Sequence, residues 1–182
     1  MSPDESNLPG TGQGHESISI ALAGSGGAGI LTTGNILLEA AARAGYYALL
    51  TRSSGPQIRG GESAAMLRFS SRPVDCIADS FRILATVDWE TGDRFTGEIA
   101  LGADSLIMGD PARGNIPAAF AASGAVTVGV PLKAMSKEIK GGRPNMLLLG
   151  LVAGMIGLSD EAVQHAVGKN LAGHPEAIAP GL

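Results

Sequence analysis

The stretch Ala21-Leu22-Ala23-Gly24-Ser25-Gly26-Gly27-Ala28-Gly29-Ile30-Leu31 constrains this chain more than any other. Ahead of it, Ile18, Ile20 and Leu22 alternate with small residues, the pattern of a short buried strand. From Ile30 onward Leu31, Ile36, Leu37, Leu38 and Ala41 recur near helical spacing, and Gly45 follows Arg43 and Ala44 as a C-terminal stop. A strand that turns sharply into a helix needs glycine, because the turn takes positive φ and the helix packs close on the strand. Gly24, Gly26 and Gly29 satisfy the G-x-G-x-x-G spacing, and the helix start presents unpaired N–H groups to whatever lies outside it. Two readings fit the spacing equally: a phosphate-binding turn, and a tight strand-to-helix turn that binds nothing.

The rest of the chain continues the alternation. Strands are predicted over 46–51, 64–69, 82–87, 105–108 and 125–130, and a right-handed crossover sets the second parallel to the first. Helices are predicted over 91–101, 117–122 and 133–140, then from Pro144, and last from a cap at Ser159-Asp160-Glu161 to about Leu171. Alternation without hairpin signals predicts an α/β fold: a layered, Rossmann-like domain with a mainly parallel sheet flanked by helices. With 182 residues, 45% of them hydrophobic and 16% charged, the chain suits one globular domain over 18–172. Residues 1–17 read as a disordered tail with no apolar signal-peptide core, and 173–182 as a linker or C-terminal tail.

Composition excludes several function classes. A net charge of −4 leaves no basic footprint for nucleic acid or an anionic membrane. The apolar run from Met146 to Leu158 falls short of the roughly 20 residues a membrane helix needs, and is expected to be a buried helix. The chain is expected to be cytoplasmic. Cys76 stands alone, so there is no internal disulfide and no Cys-x-x-Cys pair for zinc or an iron–sulfur cluster; a small buried role is expected for it. His15, His165 and His174 lack metal-ligand spacing, and Asp75, Asp79 and Asp88 give no basis for a catalytic assignment.

An NAD site places an acidic residue about 20 positions beyond the glycines. This chain has Thr51, Arg52 and Ser53 there, so NAD is disfavoured while Arg52 could meet the 2′-phosphate of NADP; a solvated loop charge is the plainer reading of Arg52. Next comes Ser53-Ser54-Gly55-Pro56-Gln57-Ile58-Arg59-Gly60-Gly61-Glu62-Ser63, a loop with Gly and Pro on both sides of one arginine. Arg59 carries a planar cation suited to carboxylate or phosphate, or to an internal salt bridge that pins the loop. Lys140 and Arg143, ahead of the Pro144 helix, are a second candidate anion site or a solvated loop. In α/β sheets ligands gather beyond the carboxyl ends of the strands, and the glycine turn and the Arg59 loop both follow strands, so they should share one edge.

Gly24-x-Gly-Gly-x-Gly29, the loop Ser54-Gly55-Pro56-x-x-Arg59-Gly60-Gly61-x-Ser63, and Asn145 before 147–150 together resemble the gamma subunit, or gamma domain, of the 2-oxoacid:ferredoxin oxidoreductases. The resemblance runs from about Ile18 to Leu171; Ala28 departs from it, since many members carry glutamine there. It implies a supporting, non-catalytic part of an enzyme that converts a 2-oxoacid and coenzyme A to acyl-CoA and CO2 and passes electrons to ferredoxin. It further implies that thiamine diphosphate, Mg and iron–sulfur clusters belong to partner alpha and beta subunits or domains. The candidate contacts to coenzyme A are Gly24, Gly26, Gly27, Gly29, Ser54, Arg59, Gly60 and Gly61, the alternative for them being an interface with a partner chain. In some members the gamma unit is fused ahead of another domain, and the Pro- and Gly-rich end here would suit such a junction. An indolepyruvate-type relative would differ only in substrate. A reading of another class is a free-standing NADP-binding reductase of Rossmann type, in which Arg52 would matter.

Overall fold

The structure is a computed structural model that describes residues 17–55 and 61–172. Strand β1 (Ser17–Gly24) leads through the glycine turn into helix α1 (Ile30–Arg43), as the sequence predicts. Strands β2 (Tyr47–Ser54) and β3 (Ser63–Ser70) follow, then β4 (Ile83–Thr86), β5 (Leu106–Gly109) and β6 (Val126–Gly129). They form one six-stranded sheet in the order β2-β3-β1-β4-β5-β6. The pairs β1/β4, β4/β5 and β5/β6 are parallel.

The sheet is mainly parallel, as expected, with one strand running against the rest. β3 runs antiparallel between β1 and β2, so β2 shares the direction of β1 but is not its neighbour. The reason is length: a parallel return needs a crossover of a dozen or more residues, and the connection over 55–62 is too short to hold one. The hairpin carries no tight-turn signature, which hides it in the sequence. Its register still supports the shared edge, because Gly24 pairs with Ser63 and Ser63 pairs with Ser54.

Alternation in the strands sorts two cores. Ile18, Ile20 and Leu22 of β1 and Leu67 and Phe69 of β3 face α1, α4 (Pro144–Met155) and α5 (Asp160–Asn170). Ala21, Ala23, Ala64, Met66, Leu84 and Ile107 face the other way. Small strand residues on that side leave depth, and Phe81, Trp89, Phe95 and Phe120 fill it from the connections. That second layer is thin. The helix expected over 91–101 is only a 3-10 turn, Gly92–Phe95, because Gly92 and Gly97 each weaken a helix by about 1 kcal/mol. Helix α2 is Ala118–Ala121 and α3 is Leu132–Glu138.

Helix α1 buries Ile30, Ile36, Leu37, Ala40 and Ala41, each large aliphatic side chain worth roughly 1.5–3 kcal/mol. It lies close on the sheet at Gly34, where a β-carbon would stand 2.8 Å from the Ala65 Cβ. Pro144 occupies the first turn of α4, where its missing N–H costs nothing. The apolar run in α4 is buried on one side only: Leu148, Leu149, Val152 and Ala153 face the core, while Gly150 and Gly154 are exposed. Ser159 caps α5 by accepting the Ala162 N–H at 3.3 Å, with Asp160 and Glu161 in the first turn. Among the described residues no helix is long and apolar enough to cross a membrane.

Candidate functional site

The site is built at the carboxyl end of β1. After Gly24 the chain turns through Ser25–Gly29, and Gly29, at φ 81°, is the N-cap of α1. Ser25 is held from across the sheet. Its N–H donates to the two carboxylate oxygens of Asp88 at 3.2 and 3.3 Å, and its hydroxyl donates to Oδ2 at 2.8 Å. Asp88 is 3% exposed and lies just past β4; it also accepts the Glu90 N–H at 3.3 Å. Between β1 and β4 the chain changes sides, since β2 and β3 lie to one flank and β4 to β6 to the other. Such a switch point is where doubly wound sheets open a crevice.

The first turn of α4 closes the other side of the glycine turn. Thr33 Oγ1 donates to the Asn145 carbonyl at 3.3 Å, and Asn145 Nδ2 lies 3.5 Å from Thr33 Oγ1. Two neighbouring clefts open here, of about 330 and about 300 Å3. Both are lined by Gly27, Ala28, Arg143 and Asn145; the larger also reaches Asp88 and Lys133. Arg113, on the wall of the larger cleft, is paired with Glu90 at 2.8 Å. Lys133 and Arg143 have no ion pair among the described residues. Lys133 is positioned through its backbone: buried Asp110, at the end of β5, accepts the Lys133 N–H at 2.8 Å and the Ala112 N–H at 3.0 Å. A cleft with turn amides and two uncommitted cations on its wall can hold an anion.

The predicted residues are partly brought together. Gly24, Gly26, Gly27 and Gly29 form the turn, and Ser54 and Gly61 stand at the base of the loop on the same sheet edge. Arg59 and Gly60 lie outside the described residues. The loop base is closed by the Gly55 N–H donating to the Glu62 carbonyl at 3.0 Å. Below it, Arg94 lies 3.6 Å from Glu62 and pairs with Glu98. The Ser53 hydroxyl, and then the Arg94 guanidinium, hold the Glu98 carboxyl below its ordinary range.

Arg143 lines both clefts, whereas Lys140, its companion in the sequence reading, lines neither. Lys133 was missed by motif reading; its position just after a strand and a proline, at a helix start, was the available signal. Arg52 donates to Asn35 Oδ1 at 2.6 Å, tying edge strand β2 to α1. Its strand lies two spacings from β1, roughly 10 Å, with β3 between, which is not the neighbouring position a dinucleotide ribose requires. Cys76 corrects an expectation. It is exposed, because it lies in the connection after β3 rather than in the core, with its carbonyl accepting from Arg68 at 3.1 Å. Among the described residues no group of three or more His, Cys, Asp or Glu is placed to hold a metal ion.

Residues 19–181 match the family described as pyruvate ferredoxin/flavodoxin oxidoreductase. The chain belongs to this family. Within the pyruvate ferredoxin/flavodoxin oxidoreductase family it is 29% identical over 164 residues to the 2-oxoglutarate synthase subunit KorC of Archaeoglobus fulgidus, covering 85% of this chain and 79% of KorC. It is 27% identical over 165 residues to the ketoisovalerate oxidoreductase subunit VorA of Methanothermobacter thermautotrophicus, covering 88% of this chain but only 33% of VorA. The chain thus spans about a third of that relative. Among solved structures, the 2-oxoglutarate:ferredoxin oxidoreductase from Magnetococcus marinus has the same fold, with a TM-score of 0.75 and 24% identity over 92% of this chain and 29% of that one. That protein is seen with 2-oxoglutarate, coenzyme A and succinyl-CoA bound. The keto/oxoacid ferredoxin oxidoreductase gamma subunit from Geobacter sulfurreducens superposes with a TM-score of 0.63 and 23% identity, covering 90% of this chain and 98% of the subunit. The fold is therefore that of the family's gamma-type unit, and none of these likenesses points to an NADP-binding reductase.

Proposed function

We propose that this chain is the non-catalytic gamma-type unit of a thiamine diphosphate-dependent 2-oxoacid:ferredoxin oxidoreductase, an enzyme that turns a 2-oxoacid, coenzyme A and oxidised ferredoxin into acyl-CoA, CO2 and reduced ferredoxin. The observation that carries this reading is the family match over residues 19–181. The donor set agrees with a division of labour. A single cysteine cannot by itself ligate an iron–sulfur cluster, and in this reading the clusters, like thiamine diphosphate and Mg, are held by alpha and beta subunits or domains.

What this chain contributes is assembly and contact with coenzyme A. Coenzyme A is a polyanion, and the two neighbouring clefts between them offer it the amides of Gly27 and Gly29 and the side chains of Arg143 and Lys133. Gly24 and Gly26 shape that turn, and the loop that carries Arg59, Gly60 and Gly61 begins at Ser54 and ends at Ser63 on the same edge. These residues bind and orient; none of them takes a proton or an electron in this reading.

The test is to isolate the chain with its partners from its native extract and to assay 2-oxoacid- and CoA-dependent reduction of a viologen dye. Co-purification with a thiamine- and cluster-binding partner, with that activity, is expected. Arg143→Ala should raise KM for coenzyme A about tenfold or more, the worth of one charge-assisted hydrogen bond, and leave kcat nearly unchanged. A chain that came out alone and bound NADPH would overturn the assignment.

A further inference from the structure

The first amide of the glycine turn already has an anion. Ser25 gives both its N–H and its hydroxyl to the Asp88 carboxylate, with oxygens at 2.8–3.3 Å. Asp88 is 3% exposed and is itself anchored, since its N–H donates to Thr86 Oγ1 at 3.2 Å and its carboxylate accepts the Glu90 N–H. These hydrogen bonds hold its carboxylate against the turn. Farther along the turn the Ala28 N–H closes back on the Ser25 carbonyl at 3.1 Å, while the Gly27 and Gly29 N–H groups have no acceptor among the described residues. Arg143 lines both clefts at that end. The two halves of one turn thus differ in charge: a fixed negative group at Ser25, and open amides with a cation at Gly27–Gly29.

We propose that Asp88 decides which anions the turn accepts: its carboxylate fills the Ser25 end of the β1/β4 crevice and refuses a dinucleotide pyrophosphate there. Only the Gly27–Gly29 end, beside Arg143, is left for a phosphate. A dinucleotide laid across the switch point would set its pyrophosphate against this carboxylate. Two like charges a few ångströms apart in a partly buried place lower affinity on the order of a hundredfold or more. Coenzyme A carries a 3′-phosphate on its ribose apart from its pyrophosphate; it avoids the clash by presenting that phosphate to the Gly27–Gly29 end while its pyrophosphate stays outside the crevice. This inference rests on the phosphate contact of the proposed function, and it explains physically why a glycine spacing of the dinucleotide kind serves a different ligand class.

The test uses the 182-residue chain, with inorganic pyrophosphate and NADP+ as probes and the backbone amide resonances as the readout. In the unmodified chain pyrophosphate should shift Gly27, Gly29 and Ile30, leave Ser25 and Gly26 in place, and lose its effect in Arg143→Ala. Asp88→Asn keeps an oxygen acceptor for Ser25 but removes the charge; it should bind pyrophosphate at least tenfold more tightly and extend the shifts to Ser25 and Gly26. Asp88→Asn without a gain, or a Ser25 amide that moves with NADP+ or pyrophosphate in the unmodified chain, overturns the proposal. The second of these outcomes decides the matter even if the variant does not fold. If Asp88→Asn gains pyrophosphate while Arg143→Ala leaves KM for coenzyme A untouched, the role of Asp88 stands and the coenzyme A contact falls.

Discussion

A β-carbon on Gly29 would lie 2.5 Å from Asn145 Nδ2 and 2.8 Å from its Cγ, so the N-cap of α1 and the first turn of α4 meet closely through a glycine. The two residues are far apart in the chain and both belong to the pattern by which the sequence resembles its family. Their contact gives that pattern a mechanical meaning. Gly29 also sits at φ 81°, where other residues are strained by roughly 1–2 kcal/mol.

Gly29→Ala is therefore expected to cost about 2–4 kcal/mol, the backbone strain together with the overpacking of a filled site. Asn145→Ala removes the clashing amide, so the penalty of Gly29→Ala should be smaller in that background. A double-mutant cycle by urea denaturation measures the difference; additive penalties would mean that the two residues are not in contact.

Gly34→Ala offers the opposite trade. In an exposed helix interior the change stabilises by about 1 kcal/mol through propensity alone. Here the added carbon would be 2.8 Å from Ala65 Cβ on a sheet strand, and the expected outcome is a net loss of about 1–2 kcal/mol. Ala65→Gly should restore most of it. A melting temperature for Gly34→Ala at or above that of the unmodified protein would contradict the close packing of α1 on β3.

Glu98 makes the loop base sensitive to acid. The Ser53 hydroxyl and the Arg94 guanidinium hold its carboxyl below the ordinary glutamate range in the folded state. The folded group thus keeps its charge to lower pH than the unfolded one, and its stabilising contribution is present above the unfolded value and lost as pH falls through the folded one. Glu98→Gln should melt below the unmodified protein at neutral pH, and the gap should close on acidification through and below the ordinary carboxylate range. A gap that does not change with pH would assign the effect to packing instead.

Cys76 is exposed, so it should react fully and rapidly with a thiol reagent in the folded protein without denaturant. Cys76→Ser should leave the melting temperature within about 1 °C, as surface substitutions usually do. Protection of the thiol in the isolated chain would contradict its placement outside the core.

Local pattern was enough for much of this molecule. The β1–turn–α1 unit, the glycine stop after α1, the proline start of α4 and the serine cap of α5 are each decided by residues within a turn or two of one another, where φ preferences and unpaired N–H groups act. The shared edge of the glycine turn and the following loop was also legible, because both come directly after strands. The direction of β3 was not, since nothing inside 64–69 states which neighbour it will pair with; only the shortness of the link to β2 excludes the parallel choice. The helix expected over 91–101 failed because Gly92 and Gly97 interrupt it, and its Phe95 and Ile99 instead fill the face left by Ala21, Ala23 and Ala64. The site shows the same division. The glycine turn is a property of spacing, whereas the Asp88 carboxylate on Ser25, the Asn145 contact at Gly29 and the meeting of Lys133 with Arg143 join residues scattered through the chain. Such long-range contacts exist only once the sheet order is set, because which side chains face one another at a strand end depends on which strands are neighbours.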